Sequence, residues 1–202
     1  MAEIANETGG SAWGGGGSPY AVSSKKLGMW LFLMSDTLTF TAFLIAYSYV
    51  RLASVDWPRP FGGASIFMAS VMTFCLLSSS LTMVMAVSAA KRQQMRQTFL
   101  WMLATIAGGV LFIILHTNEW LTLIHEGITP SSSLFGASFF TLTGLHMTHV
   151  TGGVIYLAIV AFGFKKGRFE AEDVEVSGLY WHFVDLVWMF IFPMLYLMSN
   201  EL

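Results

Sequence analysis

Charge is what this sequence has least of. Only 11% of its 202 residues are Asp, Glu, Lys or Arg, against roughly a quarter in an average soluble domain. The few charges cluster between long apolar runs, which excludes the evenly solvated surface of a soluble protein. Cysteine is almost absent. Cys75 stands alone inside an apolar run, so neither an intrachain disulfide nor a thiolate metal site can be built. A net charge of −2 offers no basic face to nucleic acid. The chain start also lacks the basic, then apolar, then small-residue order of a signal peptide. It carries Glu3 and Glu7, then Gly14 to Gly17, Ser18 and Pro19. Residues 1–26 therefore read as a flexible cytoplasmic tail. No phosphate loop, nucleophile elbow or zinc-protease motif occurs.

What is present is apolar length. Mean hydropathy is +0.65. An α-helix needs about 20 mostly apolar residues to cross the hydrocarbon layer. Five segments qualify: 27–50, 64–89, 98–123, 135–164 and 177–199. The expected fold is all-α, a polytopic bundle of five transmembrane helices forming one domain over 27–202. Basic residues set its direction. Lys25, Lys26, Lys91, Arg92, Arg96, Lys165, Lys166 and Arg168 fall on one side, eight against only Arg51 and Arg59 on the other. That split puts the N-terminus in the cytoplasm and the C-terminus outside. Trp30, Trp57, Trp101, Trp120 and Trp181 fall near the expected interfaces, where an amphipathic ring is favoured. Trp30, Trp57, Trp181, Arg51 and Arg59 are candidate lipid or interface contacts. Two small-residue stripes, Gly144/Thr148/Gly152 and Ser78/Thr82/Ala86, would let neighbouring helices approach inside the bundle.

Ionisable groups at bilayer depth are costly unless paired or neutral. Asp36, His116, Glu119, His146, His149, His182 and Asp185 are such groups here. Three pairs share i, i+3 spacing and hence a helix face: His116 with Glu119, His146 with His149, His182 with Asp185. An interhelical polar network is expected from these six, with Asp36 as a separate buried carboxylate that is neutral much of the time. At ~1.5 Å rise per residue, Asp36, His182 and Asp185 form an inner tier and His116, His146 and Glu119 an outer one. A carboxylate-bridged di-metal site is disfavoured. Such sites use several Glu and Glu-x-x-His pairs, whereas the spans contain one Glu and no such pair. Haem ligation needs only one or two histidines and is not excluded by this pattern.

The fifth span reads Leu179-Tyr-Trp-His-Phe-Val-Asp-Leu-Val-Trp-Met-Phe-Ile-Phe192 and is followed by Tyr196. The fourth reads Phe139-Phe-Thr-Leu-Thr-Gly-Leu-His-Met-Thr-His-Val-Thr-Gly-Gly153, and the first Gly28-Met-Trp-Leu-Phe-Leu-Met-Ser-Asp36. With Asn118-Glu119-Trp120 of the third, they resemble, in order, the motifs of subunit III of haem-copper terminal oxidases. The length matches the short, five-helix bacterial form. Asp36 stands where cytochrome c oxidases often have Glu, and Ser35-Asp36 is similar to some quinol oxidase members. Met147 replaces a common Gly.

The resemblance implies a non-catalytic subunit. It would carry no cofactor, with haem and copper on partner subunits and the main contact to subunit I. The complex would reduce oxygen to water and move protons outward in the bacterial cytoplasmic (inner) membrane. Helices would form a V, spans one and two against three to five, with phospholipid in the cleft. The subunit would support sustained turnover and proton uptake. The electron donor, cytochrome c or quinol, is set by other subunits and stays open. So does the accessory subunit of a nitric oxide reductase system, which shares the fold.

Overall fold

The computed structural model describes residues 23–58 and 60–198. Five long helices follow one another: α1 (Ser24–Ala53), α2 (Gly63–Lys91), α3 (Met95–His125), α4 (Leu134–Lys165) and α5 (Ala171–Phe192). A five-residue π-helical turn, Pro193–Leu197, continues α5. All five helices are long and apolar enough to span a bilayer, α5 together with its π turn. Each contains its expected span or most of it. α1 begins at Ser24, so the last residues assigned to the tail are already helical.

The sequence places the helix ends through local chemistry. Ser23 caps α1 by accepting from the Lys26 amide, and Ser133 caps α4 by accepting from the Gly136 amide. α5 opens with a reciprocal capping box between Glu170 and Asp173. α2, α3 and α4 all close with the same double hydrogen bond. Beyond α3, Gly127 N–H donates to the Ile124 carbonyl and Ile128 N–H to that of Leu123. The residue at the reversal takes a left-handed backbone in each case: Gln93 at φ 58°, Gly127 at 85° and Gly167 at 68°. Glycine adopts that region without Cβ strain; Gln93 does not. Pro193 brings no amide hydrogen to the ladder, and the chain widens there, with Met198 N–H donating to the Pro193 carbonyl.

α5 is the axis of the bundle. It packs on α1, α2 and α4, while α3 lies between α2 and α4. The centre is aromatic: Trp181, Trp188, Phe112, Phe139 and Tyr196 are fully buried. α1 is peripheral and touches α5 and α4 but makes no substantial contact with α2. The expected arm of spans one and two therefore does not form. α2 instead packs most closely on α3, because their short connection at Arg92–Gln94 forces an antiparallel hairpin.

Candidate functional site

The six polar residues expected to form one network occupy separate clusters. The first lies between α1 and α4. Asp36 Oδ2 and His149 Nε2 are 3.2 Å apart, each side chain 18% exposed. His149 Nδ1 lies 2.8 Å from the Leu145 carbonyl. A carbonyl only accepts, so Nδ1 carries hydrogen and donates. Nε2 and Asp36 must then share one further proton, either on the imidazole or on the carboxyl. In both forms the pair is net neutral, which is what an apolar setting requires. Phe40 sits edge-on to the His149 ring at 5.0 Å, and Tyr180 donates its hydroxyl to the His149 carbonyl at 3.1 Å. Asp36 was expected alone with an inner tier. It instead meets a histidine assigned to another pair, because α1 lies against α4.

The second cluster joins α2 and α5. Ser80 Oγ and His182 Nδ1 lie 2.7 Å apart. Asp185, one turn along α5, is buried, with Oδ1 lacking a partner among the described groups. His182 also lines a groove with Val84, Val87, Ser88, Lys91 and Glu175. At the same end, Glu175 holds Lys26 and Lys91, each at 3.2 Å, and Asp173 holds Lys25 at 2.7 Å. These ion pairs tie α1 and α2 to the start of α5. Asp173 and Glu175 went unnoticed in the sequence, although an acid in a first helical turn, as at Asp173, suits the helix dipole.

The third cluster brings α3, α4 and α5 together. Tyr196 donates to Glu119 Oε2 at 2.6 Å, and His116 Nδ1 stands 3.2 Å from the same oxygen. His116 stacks on Phe112 and meets the edge of Trp188 at 5.5 Å. His146 stacks on Trp188 at 5.1 Å, fully buried, with neither nitrogen hydrogen-bonded. Among the described residues, no group of three or more His, Cys, Asp and Glu side chains is arranged to hold a metal ion.

The assigned surface contacts divide. Trp30 is exposed, on the outside of α1. Trp181 is completely buried. Its indole N–H donates to Ser79 Oγ at 3.0 Å, and its ring lies over Gly109 of α3 and Gly153 of α4. It is thus a hub of the bundle and not an interface anchor. Trp57 is half-buried between Tyr47 and Phe135. Arg51 turns inward and donates to the Met194 and Met198 carbonyls, satisfying the end of the last helix. Arg59 lies outside the described residues. Of the two small stripes, Thr82 meets Thr105 at 2.8 Å inside the bundle. Thr148 and Gly152 instead point outward, and Gly109 and Gly153 provide the close approach in α4's vicinity.

These features define an all-α membrane protein of five spans in which several buried polar side chains meet across helices. The family described as Cytochrome c oxidase subunit III matches residues 9–200, and the chain belongs to that family. Cytochrome c oxidase subunit 3 of Alkalihalophilus pseudofirmus is 33% identical over 184 residues, 87% of each chain. Quinol oxidase subunit 3 of Bacillus subtilis is also 33% identical, over 86% of each. Cytochrome bo(3) ubiquinol oxidase subunit 3 of Pseudomonas aeruginosa is 34% identical, over 85% of this chain and 84% of its own. The chain is a multi-pass protein of the bacterial membrane.

Proposed function

We propose that this chain is the redox-inert third subunit of a bacterial haem-copper oxygen reductase. The observation that carries the reading is the family match across residues 9–200, with relatives from cytochrome c and quinol oxidases alike. Haem and copper belong to its partners, and subunit I is the main one. The N-terminus faces the cytoplasm, in keeping with the eight-to-two split of basic residues. Phospholipid coats the exposed apolar helix faces.

The role of the chain's own residues follows from the Asp36–His149 pair. It shares one proton between two mostly buried side chains where α1 meets α4. A group of that kind, on a face that an adjoining subunit can cover, supports proton uptake and sustained turnover by the complex. Quinol as the electron donor is the second reading. Ser35-Asp36 resembles quinol oxidase members, and two of the relatives are named as quinol oxidase subunits.

The test is to tag this chain, purify it gently from native membranes, and record a reduced-minus-oxidised haem spectrum with copper analysis. Haem and copper should co-purify and be lost when the chain is stripped away alone. Haem or metal retained by the stripped chain would overturn the proposal. Oxygen uptake by the intact complex with reduced cytochrome c, then with quinol, separates the two donor readings.

A further inference from the structure

At the end of the bundle remote from the lysine clusters, a groove of about 380 Å³ opens between the start of α2 and the end of α3. Its walls are mostly apolar, with Phe61, Met68, Met72 and Leu115 among them. Two carboxylates face it, Glu119 and Glu126, and no cation is among its described lining residues. Glu119 is the telling one. Its Oε2 accepts from Tyr196, with His116 Nδ1 3.2 Å away but not hydrogen-bonded, while Oε1 is buried and has no partner among the described groups. A buried carboxylate oxygen without a donor is strongly disfavoured. A ligand that brings N–H to that point removes the penalty.

Depth narrows the ligand. α3 has 31 residues, so at ~1.5 Å per residue it is ~46 Å long. It therefore overshoots a ~30 Å hydrocarbon layer by ~8 Å at each end if centred. Glu119 lies ~9 Å from the His125 end on the same scale. That is the boundary between acyl chains and headgroups. An occupant there needs an apolar body for the groove and a compact N–H donor, preferably cationic, for the two carboxylates. A primary ammonium has three donors. A quaternary ammonium has the charge without the donors, and an anionic headgroup meets repulsion.

We propose that this groove is a binding site for a phospholipid with a primary-ammonium headgroup, phosphatidylethanolamine, with its ammonium donating to Glu119 Oε1 and Glu126 at the rim. The site deepens the lipid contact in the proposed function, yet rests only on membrane insertion and not on oxidase assembly.

The complex containing the tagged chain would be depleted of lipid and offered phosphatidylethanolamine, phosphatidylcholine or phosphatidylglycerol in mixed micelles of matched acyl chains. Lipid retained on the tagged chain is counted by native mass spectrometry. The expected result is one retained phosphatidylethanolamine, preferred about tenfold or more over the other two, as fits one charge-assisted hydrogen bond. Ala64→Trp narrows the groove without removing any group that Glu119 bonds, and should abolish retention. Glu119→Gln should lose the preference for phosphatidylethanolamine over phosphatidylcholine. Equal retention of the three lipids, no retention, or wild-type retention by Ala64→Trp would overturn the proposal. Haem scored in the same sample reports separately on oxidase membership.

Discussion

Trp181 on α5 donates its indole N–H to Ser79 Oγ on α2 at 3.0 Å, with its ring over Gly109 and Gly153. One side chain thus fixes α5 against three other helices. A buried donor that loses its acceptor keeps the full desolvation penalty. Ser79→Ala should lower stability by about 1–3 kcal/mol, and Trp181→Phe by a similar amount. Ser79→Ala in the Trp181→Phe background should add little. Unfolding midpoints in detergent for the two single variants and the double variant give the coupling. Fully additive losses would show that the bond contributes nothing.

The glycines under that ring should be sensitive to single methyl groups. A Cβ on Gly109 would stand 2.5 Å from Trp181 and 2.8 Å from Val154, whereas one on Gly152 would meet only the Tyr180 hydroxyl, at 3.9 Å. Gly109→Ala should cost about 1–3 kcal/mol through overpacking. Gly152→Ala should leave the unfolding midpoint of the chain unchanged or slightly raised. The reverse order would contradict the packing described.

Asp36 and His149 should respond asymmetrically. Asp36→Asn removes the shared proton but keeps a polar group opposite His149, so the chain should fold and insert at wild-type yield. His149→Leu strands a carboxylate in an apolar setting and should lower assembly more. The double variant Asp36→Leu with His149→Leu should recover part of that loss, since removing both partners is cheaper than removing one. Quantitative immunoblotting of membranes for the tagged chain and a partner subunit measures all three. A double variant worse than His149→Leu would sink the pairing.

Gln93 is the non-glycine residue of the three left-handed reversals, at φ 58°. Gly127 and Gly167 occupy the equivalent places after α3 and α4. Gln93→Gly should relieve about 1 kcal/mol of backbone strain and slow thermal inactivation in detergent. Gln93→Val, β-branched, should do the opposite.

The five spans and the family were legible in one dimension, and the helix ends could have been. Ser23 and Ser133, Gly127 and Gly167, and the capping box at Glu170 act on their own neighbours, so their effect is written locally. The motif containing Trp181, His182 and Asp185 identified the family before any contact was known. The partners in the candidate sites were not legible. Helical spacing put His149 with His146, but His149 turns to α1 while His146 stacks on Trp188. Ser80, which holds His182, carried no sequence signal beyond being polar, and Tyr196 was read as part of the fifth-span motif and not as the partner of Glu119.

By itself the sequence determined that five segments are helical and apolar enough to cross a bilayer, because transfer of each residue into hydrocarbon is a property of that residue and its run. The tertiary structure alone decided that α1 sits on α4 and α5 instead of α2, that Trp181 is central, and that Gly152 faces outward. The reason is that lipid tails are as apolar as a helix interior. Apolar periodicity therefore does not distinguish a face packed on protein from one packed on lipid. Only the mutual fit of small residues, rings and hydrogen-bond partners from several helices does so.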